Sequence, residues 1–119
     1  MNRRHFIIYI SGSYRGNTEV NILKARKQAI ELWELGFTIL TPHLNTQHFE
    51  LDCHIPENEY IKGDIEILKR CNGLFMLDNW QDSEGARKEY QVAQQEGLPI
   101  FHNLMELINW IEEKERNVG

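Results

Sequence analysis

Short apolar runs alternate with longer amphipathic stretches along the chain. The runs are rich in β-branched residues and end at turn residues, a pattern typical of strands that are buried on both faces. They predict four strands, at residues 6–10, 37–41, 74–77 and 98–101. In the longer stretches, apolar residues recur at the spacing of one helix face, and they predict helices at residues 18–35, 56–70, 83–96 and 104–115.

Strands that alternate with helices form right-handed β-α-β crossovers. The pattern therefore predicts a single α/β domain over residues 1–119, with a doubly wound, Rossmann-like parallel sheet of four strands in the order 2-1-3-4 and helices on both faces. In such sheets, ligands bind beyond the carboxyl ends of the strands, where the strand order reverses. This rule places a candidate site where residues 11–16 leave strand one and residues 78–83 leave strand three.

The charge balance and the cysteine count narrow the class of protein. Eighteen acidic residues against thirteen Lys and Arg give a net charge of −5, which disfavours binding to a nucleic acid polymer. No apolar run approaches the roughly 20 residues that a membrane span needs, and we interpret residues 6–10 as a strand rather than as part of a signal peptide. Two cysteines, Cys53 and Cys71, are too few for a disulfide framework, so we expect a reduced, cytoplasmic protein with no membrane partner.

The turn after strand one has the composition of an anion-binding loop. It reads Ser11, Gly12, Ser13, Tyr14, Arg15 and Gly16. The glycines allow close approach of a ligand, Arg15 supplies a planar charged group that suits phosphate, and the N–H groups of the following helix favour an anion. An ordinary turn with a solvated arginine fits the pattern equally well.

Three acidic residues are candidates for chemistry at this edge of the sheet. Glu89 shares the inward face of the third helix with Ala86 and Ala93, and a carboxylate on an apolar face requires a reason. It is either a nucleophile or acid at the site, or a half-exposed residue paired with a neighbouring cation. Asp64 leans toward the apolar face of the second helix and Asp78 ends strand three. Asp64 and Asp78 could be acids that converge on the site, where their proximity would separate their pKa values. Alternatively, either one is a helix cap or a surface charge.

Residues 42–56 form the least regular stretch and carry three histidines, one cysteine and two prolines. Such a segment predicts a functional loop that lies over the site and is mobile without ligand. The spacing of its histidines and cysteine does not suit a metal ion, so we expect none. His43 directly follows strand two, and it either borders the ligand site or is a loop histidine bonded to backbone.

Four motifs in register resemble the nucleoside 2-deoxyribosyltransferase-like superfamily. They are residues 11–16 after strand one, Thr41-Pro42-His43 after strand two, Asp64-Ile65-Glu66 in the second helix and Ser83-x-Gly85-x-x-x-Glu89 in the third. They follow one another in the same order over residues 6 to about 101, on a matching alternation of strands and helices. Within the superfamily, the chain most resembles the 2′-deoxynucleoside 5′-phosphate N-hydrolases.

The resemblance implies a role for each residue that matches a motif. Glu89 matches the glutamate that attacks the anomeric carbon of deoxyribose, and Asp64 matches the aspartate that assists departure of the base. The residues that hold the sugar and the 5′-phosphate are matched by Ser11, Gly12, Ser13, Tyr14, Arg15, Gly16, Ser83 and Gly85. Asp78 stands where the transferases have an acid near the nucleobase, and either Tyr9 or Tyr14 matches a tyrosine that orients the nucleophile.

These roles imply cleavage or transfer of the N-glycosidic bond of deoxynucleosides or their 5′-monophosphates, through a covalent deoxyribosyl-glutamate and without a cofactor. The 5′-monophosphate is favoured because Arg15 lies in the anion loop. The alternative is a non-catalytic nucleotide-binding or sensing domain, because a fold does not fix a function. In either case we expect a small-molecule nucleoside or nucleotide as partner. Exposed tryptophans at Trp80 and Trp110 would further predict a homodimer or a larger homo-oligomer.

Overall fold

The computed structural model describes residues 1–118 and shows the predicted alternation of strands and helices. The strands are β1 (Ile7–Ser11), β2 (Thr38–Leu40), β3 (Gly73–Met76) and β4 (Ile100–Phe101). They form one parallel sheet in the order β2-β1-β3-β4, which confirms the predicted doubly wound topology. The helices are α1 (Thr18–Glu34), α2 (Pro42–Asn45), α3 (Glu57–Leu68), α4 (Glu84–Glu96) and α5 (Leu104–Val118). Within the described residues, no helix is both long enough and apolar enough to cross a membrane.

Helices cover the two faces of the sheet, and each face has its own core. On one face, Ile8 and Ile10 of β1 pack with apolar residues of α1 and α5. On the other face, Tyr9 packs with Leu68 of α3 and Ala93 of α4. Because side chains alternate along a strand, Ser11 shares the face of Tyr9, which α3 and α4 cover. This alternation decides which side chains of β1 can reach a residue on α4.

Capping residues and prolines fix the ends of the helices near the site. The Ser83 hydroxyl accepts a hydrogen bond of 3.1 Å from the Ala86 N–H at the start of α4, and Gly97 ends that helix with a φ of 71°. Pro42 occupies the first turn of α2, where its fixed φ favours a helix. Together with the 3₁₀ turn Phe49–Leu51, α2 makes residues 42–56 more regular than the sequence predicts.

The two tryptophans that we expected at an exposed contact surface are half-buried against the protein's own core. Trp110 packs against the rings of Phe6 and Phe101, with centroid distances of 5.3 and 5.2 Å. Trp80 stacks on Tyr90 at 4.7 Å. The expectation of exposure is wrong because Trp110 packs against the core on one face of the sheet and Trp80 packs against the core on the other. The homo-oligomer stays a prediction without this support.

Candidate active site

A cavity of about 320 Å³ opens at the carboxyl ends of the strands, where the fold rule placed the site. Its walls are the loop after β1, the start of α2 and the first halves of α3 and α4. The volume lies near the lower end of the range for small-molecule sites, roughly 300–1,000 Å³. The candidate residues that line it are Gly12, Ser13, Tyr14, Arg15, His43, Asp64, Ser83, Gly85 and Glu89.

Glu89 lies at the wall of this cavity and is only 8% exposed. The helical register brings it onto the inward face of α4, between Ala86 and Ala93, as the sequence pattern predicts. The Ser11 hydroxyl donates to Glu89 Oε1 at 2.8 Å, and the Tyr9 hydroxyl donates to Glu89 Oε2. Burial raises the pKa of Glu89 to about 7, although these two hydrogen bonds act in the opposite direction. Each carboxylate oxygen therefore accepts one hydrogen bond from a hydroxyl group, and within the described residues no cation is bound to the carboxylate.

Tyr9, and not Tyr14, is the tyrosine that contacts Glu89. Tyr9 lies in the middle of β1 and is buried, and burial raises its pKa well above the usual range, so that its hydroxyl stays protonated and donates. The Tyr14 hydroxyl instead donates to the Glu50 carboxylate, at 3.0 and 3.2 Å from its two oxygens. The sequence left these two tyrosines open, and the geometry assigns the contact to Tyr9.

Asp64 supplies a second carboxyl to the cavity from α3. It is half-buried, and burial raises its pKa to about 6. Its charge also contributes to the raised pKa of Glu89, so the two carboxyls influence each other's protonation. Two acids with raised pKa values at one cavity are a common feature of sites that move protons.

The loop after β1 is held by a polar network that the sequence analysis missed. Asn79 follows β3, and its side-chain Oδ1 accepts a hydrogen bond of 3.0 Å from the Ser13 N–H. Its main-chain carbonyl accepts a hydrogen bond of 2.8 Å from the Ser13 hydroxyl. The Asn79 amide donates in turn to Asn21 on α1 at 3.1 Å. Asn21 is buried and donates to the carbonyls of Tyr14 and Arg15 at 3.2 Å. The signal in the sequence that could have indicated this network is the position of Asn21 on the inward face of α1, next to Ile22.

Gly12 is required by packing rather than by a ligand. A Cβ at this position would lie 2.7 and 2.8 Å from atoms of Leu77 and 2.9 Å from Asn79 Oδ1. Gly16 has a φ of 94°, a left-handed conformation that favours glycine, and it does not line the cavity. Gly12 therefore meets a packing requirement, and Gly16 meets a conformational one.

Arg15 reaches the rim of the cavity but is already paired. Its Nε lies 2.9 Å from Glu57 Oε1 at the start of α3, and both side chains are at least half-exposed. An exposed ion pair of this kind is weak, so the pair can open for a ligand. The prediction that Arg15 binds a 5′-phosphate therefore involves displacement of a carboxylate.

The segment between α2 and α3 is tied to the loop after β1 through one tyrosine. The Tyr14 hydroxyl accepts from the His48 N–H at 2.8 Å while it donates to Glu50. The His48 ring also contacts Glu19 at 2.7 Å, at the start of α1. Glu50 lines the cavity, so this segment forms part of its wall, and its mobility without ligand stays a prediction.

His43 is a buried wall residue with one bonded nitrogen. Its Nε2 lies 2.9 Å from the Ser13 carbonyl, to which Nε2–H donates, and burial lowers the pKa of His43. The ring is therefore neutral, and within the described residues Nδ1 has no hydrogen-bond partner. Both readings of His43 from the sequence hold in part, because it borders the cavity and also bonds to backbone.

Two other candidates lie away from the cavity, as Gly16 does. Ser11 is 1% exposed and faces Glu89 from behind the wall, so it does not contact the open space. Asp78 is exposed, and its carboxylate lies 3.1 Å from Lys24 Nζ on α1. The expectation that Asp78 faces the crevice is wrong, because the chain turns after Leu77 and directs this side chain toward α1.

In residues 1–118, no group of three or more His, Cys, Asp or Glu side chains is placed to hold a metal ion.

Comparisons with known proteins agree with this fold. The family model "Domain of unknown function (DUF4406)" matches residues 6–102. The chain belongs to this family. A search of curated proteins gives no match. Among solved structures, the DUF4406 fold is similar to a 2-deoxyribosyltransferase from the psychrotolerant bacterium Bacillus psychrosaccharolyticus, with a TM-score of 0.54, 20% identity and coverage of 84% of this chain and 79% of that one. This likeness shows a shared fold, and both the superfamily resemblance and the narrower likeness to the N-hydrolases stay predictions.

The charged lining of the DUF4406 cavity is mainly acidic. Its carboxylates come from Glu50, Glu57, Asp64, Asp82, Glu84 and Glu89, and its cations from Arg15 and Lys88. Both cations have a carboxylate partner, since Lys88 Nζ lies 3.1 Å from Glu84 Oε1 and Arg15 is bound to Glu57. A dianionic ligand would therefore compete with carboxylates for each cation.

Proposed function

We propose that this protein breaks the N-glycosidic bond of 2′-deoxynucleosides or their 5′-monophosphates through a covalent deoxyribosyl-Glu89 intermediate. The observation that carries the proposal is the buried Glu89 carboxylate at the cavity wall, with a hydroxyl donor on each oxygen. A packing role does not explain it, because an uncharged side chain would fill the same space without the cost of burying a carboxylate. The fold shared with a 2-deoxyribosyltransferase supports the same reaction class.

In the first step, one oxygen of Glu89 forms a bond to the anomeric carbon while the C–N bond breaks through an oxocarbenium-like state. The electron pair of the C–N bond leaves with the nucleobase, which takes a proton from Asp64. In the second step, water or another nucleobase attacks the anomeric carbon and Glu89 leaves as a carboxylate. Asp64 takes the proton that the attacking group loses. Water gives hydrolysis and a second base gives transfer.

The two carboxyls must hold one proton between them at the start of this cycle. Burial raises the pKa of Asp64 to about 6 and that of Glu89 to about 7, so the pair retains a proton close to neutral pH and this proton lies mainly on Glu89. The reaction proceeds through the less populated form of the pair, in which Asp64 carries the proton and Glu89 is ionised. The doubly protonated pair lacks a nucleophile, and the fully ionised pair lacks an acid. We therefore expect a bell-shaped dependence of turnover on pH, whose apparent pKa values belong to the pair.

The decisive experiment is incubation of the protein with each deoxynucleoside and each 5′-monophosphate, with detection of free base by chromatography. We expect Glu89→Gln to lose nearly all turnover while it keeps the fold and the affinity for ligand. A 2-fluoro sugar analogue should leave an adduct on Glu89 that mass spectrometry detects. Glu113→Gln is the matched control, since Glu113 is exposed on α5 and should keep wild-type turnover.

Each result bears on a different part of the proposal. Wild-type turnover in Glu89→Gln contradicts the covalent mechanism. If the protein neither cleaves nor exchanges any of these substrates, the proposed activity is wrong. Binding of a nucleotide without turnover would instead favour the sensing domain.

A further inference from the structure

Ser11 differs from the rest of the loop motif in where its hydroxyl lies. It is the last residue of β1, and at 1% exposure it is sealed from the cavity that its neighbours Ile10 and Gly12 line. The resemblance groups it with residues that hold sugar or phosphate. A hydroxyl that does not face the cavity cannot contact either group, so its position requires another explanation.

The Ser11 hydroxyl is directed at the nucleophile. Oγ lies 2.8 Å from Glu89 Oε1, while Tyr9, two residues earlier on the same face of β1, binds Oε2. A carboxylate bound through one oxygen can still rotate about its Cγ–Cδ bond. Donors on both oxygens fix the plane of the carboxylate, because rotation would lengthen both hydrogen bonds.

We propose that Ser11 is a positioning residue, whose hydroxyl holds one oxygen of Glu89 in a fixed orientation and stabilises the ionised form that attacks the sugar. The inference rests on the proposed role of Glu89. It assigns to the first serine of the loop a task distinct from that of the second, since the Ser13 hydroxyl bonds to the Asn79 carbonyl at 2.8 Å and does not contact Glu89.

The other titratable groups around Glu89 act in different directions. Burial raises the pKa of Glu89, Asp64 on α3 raises it further through its charge, and the hydrogen bonds from Tyr9 on β1 and Ser11 lower it. The remaining charged groups of the cavity wall are the paired Arg15 and Lys88 and the rim carboxylates Glu50, Glu57, Asp82 and Glu84. None of these changes in a Ser11 variant, so a shift in the titration of Glu89 reports on the one hydrogen bond.

The test is a direct titration of Glu89 by NMR with carboxyl-labelled glutamate, which needs no substrate. Because a hydrogen bond to a charged group changes an equilibrium constant by about tenfold or more, we expect Ser11→Ala to raise the measured pKa of Glu89 by about one unit. Ser13→Ala is the matched control. It removes an equally long, buried serine hydrogen bond two residues away and should leave the titration of Glu89 in place.

Turnover gives the second measurement. We expect kcat of Ser11→Ala to be about tenfold lower than that of the wild type at about pH 6.5. Most of this ratio should close at about pH 9, where Glu89 is ionised in both proteins and both turn over slowly because Asp64 has lost its proton. Ser11→Cys keeps a weak donor of similar size and should fall between the two. It also keeps the test valid if the alanine variant folds poorly.

The two proposals fail in distinguishable ways. An unchanged Glu89 titration in both Ser11 variants, or the same shift in Ser13→Ala, overturns the role of Ser11 even if Glu89 proves to be the nucleophile. A loss of kcat that is equal at every pH, with an unmoved titration, also overturns it. A shifted titration in a protein that cleaves no deoxynucleoside contradicts the proposed function and leaves the contact between Ser11 and Glu89 established.

Discussion

The burial of Glu89 makes a prediction about stability that is independent of the substrate. We expect Glu89→Gln to be more stable than the wild type at alkaline pH and equally stable in acid. Glutamine has nearly the same shape, its carbonyl oxygen accepts from Tyr9, and its amide donates to the Ser11 oxygen, so both contacts of Glu89 persist in an uncharged form. The substitution therefore isolates the cost of the charge.

The magnitude follows from the pKa of this one carboxyl. The pKa of Glu89 rises from its ordinary value of 4.5 to about 7 in the folded protein, because burial disfavours the ionised form. A carboxyl group whose pKa is higher in the folded protein stabilises the folded state at pH values below its pKa in the unfolded chain. This stabilisation is lost as the pH rises through its pKa in the folded protein. Above neutral pH the buried charge costs about 3 kcal/mol, which Glu89→Gln recovers. At this chain length the gain corresponds to roughly 10 °C in Tm.

The assay is urea unfolding of both proteins at several pH values, followed by circular dichroism. We expect the free energies of unfolding to agree near about pH 4.5 and to diverge in favour of Glu89→Gln through pH 7. Glu96→Gln serves as the control, because Glu96 is exposed near the end of the same helix and its change should give a small offset that does not grow with pH. A constant difference between Glu89→Gln and the wild type from acid to alkaline pH would refute the reasoning.

Four further predictions concern the ligand and the loop that holds it. Arg15→Ala should raise KM for 5′-monophosphates roughly tenfold or more and leave nucleosides nearly unchanged, and equal changes for both would contradict a phosphate contact. Glu57→Gln should release Arg15 and lower the same KM by about two- to fivefold, as the worth of an exposed pair allows; an unchanged KM would show that the pair does not compete with phosphate. Asp64→Asn should slow the release of poor leaving bases more than that of good ones, and a uniform loss would argue against its role as the acid. Gly12→Ala should destabilise the fold by about 1–3 kcal/mol in urea, whereas Gly63→Ala, on a helix with open space around it, should stabilise it by about 1 kcal/mol.

The fold was predictable because each element carries its own local signal. Continuous apolar runs marked β1 and β3, and Gly97 marked the end of α4. Once strands alternate with helices, right-handed crossovers leave few possible orders, and the observed order is the simplest of them. The segment after β2 was harder to predict, since a single proline started a helix too short to show a period.

The residues of the candidate site could be predicted only on a helix, where the spacing of apolar residues shows which side chains face inward. Glu89 was placed on the inward face of α4 because its neighbours Ala86 and Ala93 fixed the register. Strand β1 is apolar on both faces, so its pattern gave no indication that Tyr9 faces α4. The direction of Asp78 depends on how the chain turns after the strand, and that turn has no signature in the sequence.

The contacts that organise the loop could not be read from local patterns. Asn21 and Asn79 are 58 positions apart and meet only because β3 lies beside β1 in the sheet. Neither residue belongs to a motif by itself. The same holds for the pair Ser11 and Glu89, which are 78 positions apart. Long-range polar pairs of this kind follow from the topology, so they become visible once the topology is known.

Among the described residues, Glu89 is the only buried side chain of the Asp, Glu, Lys and Arg types. The other charged side chains lie at least partly in solvent, whereas here two hydroxyls of β1 and the Glu89 carboxylate are buried where uncharged groups would cost less. At alkaline pH the buried Glu89 carboxylate lowers the free energy of unfolding by about 3 kcal/mol. Residues that lower stability are expected at functional sites, because they are retained for their role in function. The position of this carboxylate, at the wall of the cavity and at the reversal of strand order, is therefore the strongest argument that Glu89 acts on a ligand.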